Sequence, residues 1–69
     1  SSEPKALDTR HIRELQRLLH RLGYDVGRAD GEMGPNTRAA IRAFEHRRHM
    51  PVRGRATDRV LAEAREAAG

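Results

Sequence analysis

The 69-residue sequence has no cysteine and no tryptophan, and its aromatics are a single Tyr24 and a single Phe44. Without cysteine, neither disulfides nor thiolate metal ligands can supplement the core. With so few aromatics, that core has to come from Leu, Ile, Val, Met and Ala. A domain of this size buries only about 60% of the surface its unfolded chain exposes, which excludes a large water-free cavity. The only serines, Ser1 and Ser2, stand at the polar start of the chain. The carboxylates are scattered over helix faces with no apolar surroundings to raise a pKa, so a non-enzymatic domain without cofactor is expected. No run of about 18 apolar residues could span a bilayer. No basic-then-apolar leader precedes the first helical pattern, so any export signal is expected on a larger parent chain.

Arginine, by contrast, is abundant. Lys and Arg total 14 against 10 Asp and Glu, a net charge of +4, and 13 of the 14 cations are Arg. Guanidinium favours bidentate pairing with carboxylate or phosphate, so an anionic partner fits the composition.

The opening "SSEPKALD" is polar and carries a proline, and residues 1–7 read as a linker before a domain spanning 8–69. From there Ile12, Leu15, Leu18, Leu19 and Leu22 recur at helical spacing, with Arg10, Arg13, Glu14, Arg17 and Arg21 on the other faces. Asp8 or Thr9 can cap this helix, and Gly23 ends it. "YDVGRADGEMG" follows as an ordered Gly/Asp-rich loop whose Tyr24, Val26 and Met33 are spaced to dip inward. Pro35 suits the first turn of a second helix, roughly Pro35 to Arg48, with Ala40, Ile41 and Phe44 inward. After the shorter "MPVRG", a third helix carries Val60, Leu61 and Ala64 behind a cap at Thr57 or Gly54. "GPNTRAAI" and "GRATDRVL" share Gly-x-x-Thr, which predicts that the two loops enter their helices alike. The implied fold is all-α, a compact orthogonal three-helix bundle.

Short motifs offer little specific chemistry. With Gly31 as the sixth position of a calcium loop, the first, third and twelfth would be Val26, Arg28 and Thr37, so the register fails and an Asp-Gly turn remains. His46 and His49 could share a zinc ion with His11 or His20, but no carboxylate stands at ligand spacing, and a basic helix end facing its own dipole accounts for "HRRH". A helix-turn-helix joins its helices by three or four residues, whereas about ten separate the first two here, which argues against nucleic acid.

As a whole, Ile12 to Leu61 resembles the peptidoglycan-binding domain family. The resemblance is carried by "IRELQRLLHRLGY", "GRADGEMGPNTRAAIRAF" and "MPVRGRATDRVL". It implies a non-catalytic, monomeric, periplasmic or wall-associated module that holds an attached enzyme or envelope protein to peptidoglycan. The alternative within the same fold is a protein-interaction or prodomain-like module that binds a polypeptide. Glu45, His49 and Met50 stand where the family usually has Gln and Gly-Leu, so a charge is expected beside the ligand.

A reader of glycan and stem peptide needs backbone amides, small polar groups and cations in a shallow groove. The candidates are Tyr24, Arg28, Asp30, Asn36, Thr37, Arg38 and Arg42. Asp30, Gly31 and Gly34 are expected to shape the turn and Gln16 to brace helix to loop. Asn36, Thr37 and the free amides of the second helix are expected to hold an anion.

Overall fold

The structure, a computed structural model, describes residues 3–69; Ser1 and Ser2, the start of the stretch read as linker, lie outside the described residues. Three helices follow in order, α1 (Thr9–Arg21), α2 (Pro35–Arg47) and α3 (Asp58–Ala68), with no strand among the described residues. Helix α1 packs against both others. Its Leu15 and Leu19 are fully buried and meet Ala40, Ile41 and Phe44 of α2 and Val60, Leu61 and Ala64 of α3 in one cluster. Val26 and Ala56 enter that cluster from the two connections, while Tyr24 and Met33 pack half-buried at its edge. The helical stripes read from the sequence are therefore the core. Among the described residues, no helix is long and apolar enough to cross a membrane.

Two of the three helix starts carry a side-chain cap and one does not. The Asp8 carboxylate accepts the His11 N–H and caps α1, and the Thr57 hydroxyl accepts the Val60 N–H and caps α3. Helix α2 begins at Gly34 with no side-chain cap. The repeated Gly-x-x-Thr is thus not a repeated geometry. Gly34 is the N-cap residue with φ −101°, and Thr37 lies inside the first turn. Gly54, at φ 71°, instead precedes an N-cap formed by Thr57 itself. A four-residue match carries no information about where the helix boundary falls.

Residues 5–7, read from composition as linker, pair antiparallel with the entry to α3. Leu7 N–H donates to the Ala56 carbonyl (3.1 Å), Asp58 N–H donates to the Lys5 carbonyl (3.0 Å), and Lys5 N–H donates to Asp58 Oδ1 (3.0 Å). Ion pairs join helices on the outside: a two-pronged Arg65–Glu14 bridge (2.7 and 2.8 Å) between α3 and α1, and Arg48 at the end of α2 to Glu63 (2.9 Å) and Glu66 (3.6 Å) of α3.

Helices α1 and α2 end alike. Gly23 N–H donates to His20 O and Tyr24 N–H to Leu19 O; likewise His49 N–H donates to His46 O and Met50 N–H to Glu45 O. This closure needs a left-handed residue, supplied by Gly23 (φ 99°) in the first case and by His49 (φ 59°) in the second. A side chain in that region costs about 1–2 kcal/mol. After allowing for the greater freedom of an unfolded glycine, His49→Gly is expected to raise stability by about 0.5–1 kcal/mol. Urea unfolding checks this: the midpoint should rise at unchanged slope, and a fall would mean that the imidazole makes contacts worth more than the strain.

Candidate functional site

The loop between α1 and α2 has few apolar anchors, and polar groups fix it instead. Gln16, fully buried on α1, accepts the Gly31 N–H on Oε1 (2.8 Å) and donates from Nε2 to the Glu32 carbonyl (2.9 Å) and to Thr37 Oγ1 (3.0 Å). Thr37 Oγ1 in turn donates to the Val26 carbonyl (3.2 Å). Two aspartates brace tighter turns: Asp25 Oδ1 accepts the Gly27 N–H and Asp30 Oδ1 the Glu32 N–H, both at 3.0 Å. Gly31 is obligatory on two counts. Its φ is 82°, and a Cβ there would stand 2.7 Å from the Thr9 carbonyl oxygen, so the loop backbone rests directly on the start of α1.

Around this frame lies an open depression lined by Val26, Arg28, Asp30, Met33, Gly34 and Asn36, with Thr37 beneath. Asn36 leans over Gly27, where a Cβ would meet its Nδ2 at 3.2 Å. The uncapped first turn of α2 forms one wall, and its N–H groups have no intrahelical acceptors. A positive helix end, a guanidinium and a carboxamide therefore line one exposed depression, together with the Asp30 and Glu32 carboxylates. Such a set accepts a carboxylate or an amide carbonyl.

The seven predicted residues do not form one site. Arg28, Asp30 and Asn36 come together. Arg38 lines a neighbouring depression with Ile12, Arg55 and Ala56, divided from the first by Met33, which lines both. Arg42 lies against Gly54, whose Cβ would meet its Cγ at 3.0 Å. Tyr24 is half-buried, edge-on to Phe44 with ring centroids 6.0 Å apart and an interplanar angle of 87°.

Three expectations need correction. Thr37 is 2% exposed and its hydroxyl both gives and receives internal hydrogen bonds, so its side chain braces the loop. Gly34 has ordinary backbone angles and open space where a Cβ would stand, so nothing in the turn requires glycine there. Glu45 is 3% exposed and its Oε1 accepts the Arg53 and Gly54 N–H groups, both at 2.8 Å, so its charge is spent on shaping the second connection as Gln16 shapes the first.

Asp30 is held below the ordinary carboxylate value of 3.8, chiefly by the Glu32 N–H and further by Gln16 and the Arg28 charge. It stays ionised at neutral pH. Its support of the turn is complete above the ordinary value and is lost as pH falls through the lower folded one. Sequence reasoning missed Arg55 beside Arg38, although "GRAD" at 27–30 and "GRAT" at 54–57 repeat the Gly-Arg-Ala that opens each rim.

The fold and this loop define a small all-α module whose exposed polar cradle opens at a helix start. The family model described as "Putative peptidoglycan binding domain" matches residues 10–63, and the chain belongs to that family. No curated protein and no solved structure matches it significantly.

Gln16→Leu keeps the side-chain volume and removes three hydrogen bonds. It is expected to cost about 2–4 kcal/mol, since buried partners are left unsatisfied, with early loss of amide-exchange protection at Gly31. Unchanged protection at Gly31 would mean that the loop holds its shape without the carboxamide.

Proposed function

We propose that this domain is a non-catalytic, monomeric module that tethers an attached enzyme or envelope protein to peptidoglycan in the periplasm or cell wall. The observation that carries the reading is the family match over residues 10–63. The cradle of Arg28, Asn36 and the uncapped start of α2 supports it chemically. A free stem-peptide carboxylate would lie against the first-turn N–H groups, where the helix dipole is positive, with Arg28 pairing from the loop and the Asn36 amide meeting a peptide or acetamido group. Asp30 keeps the loop in register. Arg38, across Met33, would take a second anionic group of the same polymer strand. One such site on an exposed surface binds weakly. Repetition of the ligand along the wall, together with the tether, raises occupancy without new contacts.

Gly34 permits a test in which stability and binding move in opposite directions. Gly34→Asp puts a carboxylate on the empty N-cap; it is expected to add a few tenths of a kcal/mol to stability while occupying the N–H groups that the ligand needs. Co-sedimentation with purified, protein-free sacculi should fall several-fold. Asn36→Ala, on an exposed side chain, should weaken pelleting with melting unchanged. Full pelleting by both variants would place the binding site elsewhere. No pelleting of the parent would leave the polypeptide-binding reading of the fold.

A further inference from the structure

Helix α1 carries a second feature, on the side away from its core stripe. Arg10, Arg13, Arg17 and Arg21 are spaced three, four and four residues apart. At 3.6 residues per turn they fall within an arc of roughly 80° and extend about 17 Å along the axis. This row lies opposite Leu15 and Leu19. Arg10, Arg17 and Arg21 are exposed and Arg13 partly so.

Anions are scarce along this row. The only acidic residue within α1 is Glu14, and Arg65 of α3 holds both of its oxygens. At the N-terminal end, Asp8 is engaged by His11 and offsets Arg10; beyond the C-terminal end, Asp25 accepts the Gly27 N–H. Among the described residues, Arg13, Arg17 and Arg21 enter no ion pair. Like charges at these spacings destabilise a helix modestly, so the row is a small cost to the fold that an anionic partner would offset.

We propose that Arg13, Arg17 and Arg21, with Arg10 at their end, dock a linear polyol phosphate, a phosphodiester polymer running alongside peptidoglycan. The wall location rests on the function proposed above. The chemistry rests on the row itself. Guanidinium pairs with phosphate two-pronged, and arginines whose Cβ atoms recur about every 5–6 Å along one helix face suit a thin strand with regularly spaced charges. The row has no aromatic residue, so it cannot stack the bases of a single-stranded nucleic acid. Among the described residues, the one large hydrophobic side chain that is exposed, Val52, lies in the second connection, so the row has no apolar wedge for a lipid surface. From Arg17 and Arg21 a shallow depression leads to Val26, Gly27 and Ala29, so the strand would end at the rim of the peptidoglycan cradle.

The test uses poly(glycerol phosphate), a duplex DNA of similar charge, anionic vesicles and phosphate-free sacculi, with the parent and an Arg13→Gln/Arg17→Gln/Arg21→Gln variant. The parent should bind poly(glycerol phosphate), losing about tenfold in affinity between 50 and 150 mM salt, as about three phosphate contacts require. The variant should lose both the binding and the salt dependence. It should melt at or above the parent's temperature and pellet equally with phosphate-free sacculi. No binding by the parent, equal binding by the variant, or arginine-dependent capture of duplex DNA or vesicles as tight as that of the polymer would each overturn the proposal. If the parent binds the polymer but fails to pellet with phosphate-free sacculi, the peptidoglycan reading falls and the row stands as a phosphate reader.

Discussion

Gln16 uses its whole carboxamide on one loop: the oxygen takes the Gly31 N–H, and the nitrogen serves the Glu32 carbonyl and the Thr37 hydroxyl. Most of the rest follows from it. A 69-residue chain with one Phe and one Tyr cannot pin a connection of this length by apolar contacts alone, and the loop contributes only Val26 fully to the core. A buried amide with every group satisfied is the available substitute, and it specifies one conformation because each lost partner would leave a desolvated group behind. Because Thr37 belongs to α2, the same side chain also sets where that helix begins relative to α1. The exposed cradle is thus positioned by a group that is itself fully buried.

The second connection is held in the same manner by a different group. "IRELQ" at 12–16 and "IRAFE" at 41–45 place Gln16 and Glu45 one residue after the core positions Leu15 and Phe44, and each reaches the backbone of the connection that follows. The first loop needs both a donor and an acceptor, which an amide supplies. The second presents two N–H groups, from Arg53 and Gly54, and a carboxylate oxygen accepts both. The exchange of Gln for Glu therefore follows the hydrogen-bonding demand of the local backbone.

The helices were legible because burial forces period. Leu15, Leu19, Ile41, Phe44, Val60, Leu61 and Ala64 lie inward as their spacing requires, and Gly23 ends α1 as its left-handed angle allows. The site was legible only in part. Arg28, Asp30 and Asn36 meet because a local loop folds back on its own helix start, whereas Thr37 turns under the same surface to reach Gln16, 21 residues earlier. Nothing local distinguishes an outward threonine from an inward one. The pairing of residues 5–7 with 56–58 was hidden for the same reason, since composition reports the polarity of a segment and not the distant backbone that completes its hydrogen bonds.

Charge is distributed in a way that stability does not account for. The ion pairs that tie helices together use Arg65 and Arg48, and exposed pairs of this kind contribute at most about 1 kcal/mol each. A chain selected only for folding would place its remaining cations beside anions or spread them out. Here the surplus is ordered along α1, around the loop rim and across Met33, while the anions are largely committed: Asp8, Asp25 and Asp30 to turn and cap amides, Glu45 to the second connection, and Glu14 and Glu63 to arginines. The acids hold the fold internally and the arginines are left to face outward. That separation gives a domain of modest core a cationic exterior whose residues stand apart from Gln16 and Phe44, on which the fold depends.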